Sequence, residues 1–210
     1  MHDTSYISGE CFLKTYGNKN MTVADIGGMN VNGSLRSVAT SLDMKYTSVD
    51  MTKDESVDIV LENPHKLPFE NQSFDLVIST SCFEHDPCFW ITFKEMCRIV
   101  KNDGYIYVNA PKNGRYHCYP GDNWRFYFDA GQALAYWSSY QYNEEEVFPV
   151  EIVETFHVLP MSKEWIDFVC VWKRTNEKQK EILVQSEIYN SKGKLQTEVN
   201  SRGLSTTIKV

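Results

Sequence analysis

Three stretches of the sequence gather residue types that could do chemistry together. Residues 23–34 read VADIGGMNVNGS, an apolar run closed by Asp25 and followed by Gly27 and Gly28. A carboxylate at a strand end can orient the following loop or receive a ligand's ammonium group, and paired glycines let a ligand approach the backbone closely. Asp50 closes a second run 25 residues later, where an acid commonly accepts both hydroxyls of a ribose. The second stretch, STSCFEHD at 79–86, carries His85, a general-base candidate for taking a proton from an incoming hydroxyl. The third, GRYHCYPGDNWRFYFD at 114–129, sets His117, Asp122 and Arg125 among Tyr116, Tyr119, Trp124, Phe126 and Tyr127. Aromatic faces with interspersed hydrogen-bonding groups suit a sugar ring or another polar cyclic compound, and Arg125 could grip a carboxylate or phosphate.

These residues need a frame. Strand-like runs at 21–26, 46–50, 57–61, 74–79 and 104–109 are interleaved with helix-like segments, the pattern of a mostly parallel sheet covered on both faces. The segment 91–100 sets Ile91, Phe93, Met96, Cys97 and Val100 near one helical face, and Lys101–Gly104 stops it. A further helix is expected near 129–140. The runs 151–159 and 165–174 are joined by a few residues around Pro160, too few for a crossover helix, so they form an antiparallel hairpin. The expected fold is α/β: a Rossmann-like, doubly wound, seven-stranded sheet, mostly parallel, with a C-terminal antiparallel hairpin over residues 1–174. Residues 175–210 form a polar tail.

In such a sheet the ligand lies at the carboxyl ends of the strands, closest to the loop after the first one. Two ribose ligands compete for that loop. A dinucleotide requires G-x-G-x-x-G so that its pyrophosphate can rest on a helix N-terminus, and here Met29 and Asn32 occupy glycine positions. S-adenosylmethionine has no phosphate, and the looser loop fits it better.

The stretch NPHKLPFENQSFDLVISTSCFEHD, followed by FKEMCRIVKNDGYIYVNAP, resembles the core of the class I S-adenosylmethionine-dependent methyltransferases, in particular the small-molecule type 11-like subgroup. Leu67-Pro68-Phe69, Ser73-Phe74-Asp75, Glu84-His85, Arg98-Ile99-Val100-Lys101 and Gly104 match that pattern, over roughly residues 21–110. The resemblance implies S-adenosyl-L-methionine as cofactor, held by Asp25, Gly27, Gly28, Asp50, Met51, Asn63 and Ser81. The sequence departs from the family at Met29 and Val31, where glycines are usual, with a third glycine at Gly33 instead. Asn63 stands where an acid normally faces the adenine amino group; its carbonyl can still accept that hydrogen bond. The stretch from His117 to Phe126 resembles an H-x-x-P-x-D-x-W-R-F segment of bacterial methyltransferases, many of which accompany polysaccharide synthesis.

The expected reaction is therefore methyl transfer, at oxygen, to a small or glycan-like acceptor. His85 is the catalytic base; His117, Asp122, Trp124 and Arg125 bind the acceptor; no metal is expected. Two structural alternatives stay open: His85 packs while Glu84 or Asp86 caps the next helix, and Asp122 pairs with Arg125. In place of methyl transfer, a NAD-dependent oxidoreductase or epimerase is disfavoured by the loop and by the lack of a Y-x-x-x-K pair. A catalytically silent cofactor-binding module would differ from an enzyme only in turnover.

Composition excludes other classes. Residues 173–210 hold eight Lys/Arg against four Glu, leaving 13 against 24 in the body, so no general polyanion-binding surface is expected and nucleic acid is excluded as a partner. Six cysteines without a C-x-x-C pair read as reduced thiols, and no apolar run approaches the ~20 residues that span a bilayer. Neither a membrane nor a secretory route is expected, and the default location is cytoplasmic. Ile182, Leu183, Val184 and Ile188 in the tail could dock on a second copy and form a homo-oligomer.

Overall fold

The structure, a computed structural model, describes residues 3–118, 120–141, 146–159, 165–174 and a strand at 196–198. In chain order the elements are α1 (Asp3–Tyr16), β1 (Thr22–Ile26), α2 (Arg36–Ser41), β2 (Lys45–Asp50), β3 (Ile59–Val60), β4 (Phe74–Thr80), α3 (Phe89–Ile99), β5 (Val100–Pro111), α4 (Asp129–Ser139), β6 (Val150–Leu159), β7 (Asp167–Arg174) and β8 (Gln196–Glu198). They build one sheet in the order β3-β2-β1-β4-β5-β7-β6-β8. The first five strands are parallel; β7 runs antiparallel to β5 and to β6.

The period-two alternation of the strands divides the core in two. Leu76, Ile78, Tyr107, Val169 and Val171 face α1 and α2, whereas Val77, Ile106, Val108, Cys170 and Trp172 face α3 and α4. Helix α3 forms because Phe93, Met96 and Cys97, spaced by three and four, are all fully buried on that second face. Its first turn is held by Asp86, which accepts hydrogen bonds from the Cys88 N–H (2.8 Å) and the Thr92 hydroxyl.

The hairpin and α4 lie where the sequence sets them, and the expected seven strands are present. Four features differ. Helix α1 has no clear apolar stripe in sequence, because Thr4, Ser5 and Ser8 are buried beside Cys11, Phe12 and Leu13. Strand β5 begins at Val100, not 104: Arg174 Nη1 donates to the carbonyls of Cys97, Arg98 and Val100, and Val100 pairs with Phe74. Gly104 lies inside that strand, where a Cβ would come within 2.6 Å of the Asp75 carbonyl. Strand β3 is only two residues long, and β8 adds an eighth strand beside β6 from within the tail. The link at 160–164, Tyr119 and the rest of the tail, including Ile182, Leu183, Val184 and Ile188, lie outside the described residues.

The motif residues hold this frame together. Arg98 donates to the carbonyls of Phe69 (2.6 Å) and Leu67 (3.0 Å) and to both oxygens of Glu95, of which Oε2 also accepts the Leu67 N–H. Asp75 accepts the Thr22 N–H at 2.8 Å and pairs with Lys101 at 2.8 Å. They lock β4 to its neighbours and leave the loops at the carboxyl edge free for chemistry.

Candidate active site

The loop after β1 is shaped by what it must pass. Gly27 has φ +74°, and a Cβ there would overlap Cys82 Sγ, so the backbone lies directly on the loop after β4. The N–H groups of Gly27 and Gly28 both donate to the Val49 carbonyl, at 2.9 and 3.0 Å. The glycines thus give close approach but no free N–H donors, which is unsuited to a pyrophosphate. Asp25 is 2% exposed; its Oδ2 accepts the Tyr46 hydroxyl and its Oδ1 has no partner. Burial, partly opposed by the Tyr46 hydrogen bond, raises its pKa to about 6. Asp50 accepts N–H groups from Met29 (3.3 Å) and Thr52 (2.8 Å), one on each oxygen, leaving a lone pair on each for further donors. Met51 beside it is 57% exposed, and Asn63 Oδ1 accepts the His65 N–H.

Cys82–Asp86, which follow β4, meet the segment after β5. The Glu84 carbonyl accepts N–H groups from Asn123 and Trp124, and Trp124 Nε1 donates to the Asp86 carbonyl at 2.9 Å. His85 Nδ1 is hydrogen-bonded to the Gly121 carbonyl; a carbonyl only accepts, so Nδ1 carries the proton and Nε2 the lone pair. That Nε2 lies 3.7 Å from Glu84 Oε1, and the His117 ring stands edge-on to His85 at 5.0 Å. Glu84 is 1% exposed with Oε2 unpartnered, and burial, augmented by Asp167, raises its pKa to about 8.

Arg125 and Asp122 form a bidentate pair, and Arg125 also donates to the carbonyls of Trp124 and Arg115. The Arg125 hydrogen bond, with burial opposing it, holds Asp122 at about 2, and Asp122 also accepts the His117 N–H at 2.9 Å. The pairing that the sequence left as an alternative is therefore present. Trp124 packs on Phe89 and Trp90, while Phe126 is core.

Below these loops lies a polar floor that the sequence did not announce. Thr4 Oγ1 donates to Asp167 at 2.6 Å, Ser5 Oγ donates to Asn109 Oδ1, and Ser81, at φ 49°, donates its N–H to the Asn109 carbonyl. Ser5 and Ser81 hydroxyls are 3.5 Å apart. Asp167 Oδ1 has no partner, and burial raises that carboxyl to about 6.

Residues 23–108 match the methyltransferase domain family. Among solved structures, the chain is similar to Burkholderia thailandensis 1,6-didemethyltoxoflavin-N1-methyltransferase, which was solved with 1,6-didemethyltoxoflavin and S-adenosylhomocysteine (12% identity, 83% of this chain and 80% of that one, TM-score 0.61). The match makes residues 23–108 a methyltransferase domain, and the fold around it is that of the class I S-adenosylmethionine-dependent methyltransferases. It is also similar to Haemonchus contortus phosphoethanolamine N-methyltransferase 2, solved with S-adenosyl-L-methionine (12%, 79% and 51%, TM-score 0.56), spanning about half of that enzyme's length. The [4+2]-cyclase SpnF shares the fold too (10%, 81% of each chain, TM-score 0.61). No curated protein matches the sequence.

In this fold the residues expected from sequence lie in two neighbouring groups. Asp25, Gly27, Gly28, Asp50, Met51 and Asn63 follow β1, β2 and β3; His85, His117, Asp122, Trp124 and Arg125 gather beyond β4 and β5. Ser81 lies between them, its side chain nearest α1. Sequence reasoning missed Thr4, Ser5, Asn109 and Asp167. Asn109 could have been found, as a polar residue inside the apolar run YIYVNAP. All six cysteines are free, and among the described residues no helix is long and apolar enough to cross a membrane.

Proposed function

We propose that this methyltransferase transfers the cofactor's methyl group to a hydroxyl of a small, polar, glycan-like acceptor. Asp50 receives the ribose hydroxyls, Asp25 Oδ1 the ammonium group, and Met51 and Asn63 border the adenine. The glycine loop, whose N–H groups are already satisfied, supports S-adenosylmethionine over a dinucleotide. The acceptor enters between the loop after β4 and the segment 114–128, above Ser81 and Asn109. The cofactor supplies an electrophilic methyl group; the protein must align the oxygen and remove its proton.

The observation that carries this reading is His85. Its Nδ1–H is fixed on a backbone carbonyl, so its Nε2 lone pair is oriented for proton removal within a group that includes Glu84 and His117. Trp124 and His117 line the acceptor side, and Arg125 with Asp122 sets the shape of that wall. The six free thiols suit a reducing, cytoplasmic setting. A screen of nucleotide sugars and glycan fragments for transfer of labelled methyl tests the proposal. Transfer to a hydroxyl, lost in His85→Ala with cofactor binding retained, supports it; transfer only to amines overturns the acceptor class. A second reading, that the fold hosts another reaction, is favoured by the likeness to a cyclase. Cofactor binding without methyl transfer to any acceptor would support that.

A further inference from the structure

Glu84, His85 and His117 each present one atom able to bind a metal, and the three atoms lie within 4.8 Å of one another. They come from segments 32 residues apart in the chain, brought together where Asn123 and Trp124 bond to the Glu84 carbonyl. Glu84 Oε2 is buried with no hydrogen-bond partner, a costly arrangement unless something else satisfies it. His85 has the anchored second nitrogen that an oriented metal ligand needs, whereas His117 Nδ1 lies near a carboxylate but makes no hydrogen bond. His85 Nδ1–H is anchored on the Gly121 carbonyl, leaving Nε2 for the ion. Asp122 accepts the His117 backbone N–H and places Oδ2 3.3 Å from His117 Nδ1. Burial chiefly, with Asp167 and Asp122 adding negative charge nearby, raises the pKa of Glu84.

We propose that Glu84, His85 and His117 bind a divalent transition-metal ion beside the acceptor pocket, contrary to the metal-free site expected from sequence. Two imidazoles and one carboxylate suit zinc-like ions; magnesium and calcium favour all-oxygen sites. Zinc bonds of about 2.0–2.1 Å would hold tetrahedral ligands roughly 3.3–3.4 Å apart. The Glu84–His85 pair at 3.7 Å is nearly there, and the widest pair, within 4.8 Å, must close by at most about 1.5 Å. Three protein ligands leave a fourth position open, the pattern of catalytic rather than structural sites. On the methyl-transfer reading above, that position takes the acceptor hydroxyl and lowers its pKa. The proton leaves to solvent, the alkoxide forms a bond to the methyl carbon as the carbon–sulfur bond breaks, and the sulfonium becomes a neutral thioether. In the metal-loaded protein His85 Nε2 is a ligand, so the direct proton removal described above belongs to the metal-free protein.

Binding of the ion is tested apart from turnover. The full chain, stripped with a chelator, is titrated with Co²⁺ while its visible absorption is followed, then with Zn²⁺ by calorimetry. One ion per chain is expected, with affinity lowered roughly tenfold or more in His117→Ala, His85→Ala and Glu84→Gln. S-adenosylhomocysteine binding reports separately that each variant is folded and that the cofactor site is intact. Cys118→Ser controls for the exposed neighbouring thiol and should leave ion binding unchanged. The proposal is overturned if the wild type binds no ion, if all three ligand variants bind it unchanged, or if Cys118→Ser abolishes binding. The first outcome would leave the three groups as a proton relay.

Discussion

The loops after β1 and β4 touch at Gly27 and Cys82 but reach their shapes by different physics. The first is a backbone device: a left-handed glycine, two N–H groups on one carbonyl, and acids at the ends of two neighbouring strands. The second is a side-chain device. Glu84, His85 and Asp86 are held by residues 117–124, and the floor beneath Ser81 comes from α1 and the end of β5. A backbone device leaves a short local pattern in the sequence; a side-chain device depends on partners far along the chain. A shared cofactor with an individual acceptor fits that division.

If the division is right, substitutions on the two sides should separate binding of the cofactor from use of the acceptor. The largest effect is expected for His85→Ala, with kcat falling ~10²–10⁴-fold while calorimetry shows unchanged affinity for S-adenosylhomocysteine. Equal losses in both measurements would break the comparison. Asp50→Ala should do the reverse, removing a charged acceptor of two hydroxyls and weakening S-adenosylhomocysteine by about 1.5–3 kcal/mol.

Gly27→Ala should also act on the cofactor side, with about 1–2 kcal/mol of left-handed strain and an overlap with Cys82. Thermal unfolding and cofactor titration would register it together, and an unaffected cofactor affinity would show that the glycine serves packing alone. On the acceptor side, Arg125→Lys should destabilise by about 1–3 kcal/mol, because an ammonium cannot reproduce the bidentate pair with Asp122, and should raise the acceptor's KM. A cofactor affinity that falls with it would mean that the two sides are one unit.

The smallest effect sharpens the acceptor side by pH. Glu84 has an ordinary value of 4.5, raised to about 8 in the fold. Between those values the folded protein keeps a proton that the unfolded chain has lost. The stabilisation is therefore full below about 4.5 and disappears as pH rises to about 8. Gln cannot ionise, so in metal-free protein Glu84→Gln should match the wild type near pH 4.5 and melt increasingly higher toward pH 8, by about 2–4 °C for each kcal/mol. A gap that narrows with rising pH would contradict the burial of that carboxyl.

Sequence alone determined the alternation of strands and helices, the closing hairpin, the glycine loop with its two acids, and the motif from Leu67 to Gly104. These are periodic or local signals, each legible within a few turns of chain. Even there, contacts set the boundaries: Arg174 reaching three carbonyls of the α3 end is what starts β5 at Val100. Only the tertiary structure decided the rest. It placed Thr4 against Asp167, 163 residues away, and Ser5 against Asn109, 104 away. It turned Arg125 inward to Asp122, and it gathered Glu84, His85 and His117 at one point. Polar side chains satisfied across such separations carry no period, and a buried serine on a helix reads in sequence like an exposed one. Their meaning comes from the partner, and only the fold supplies that.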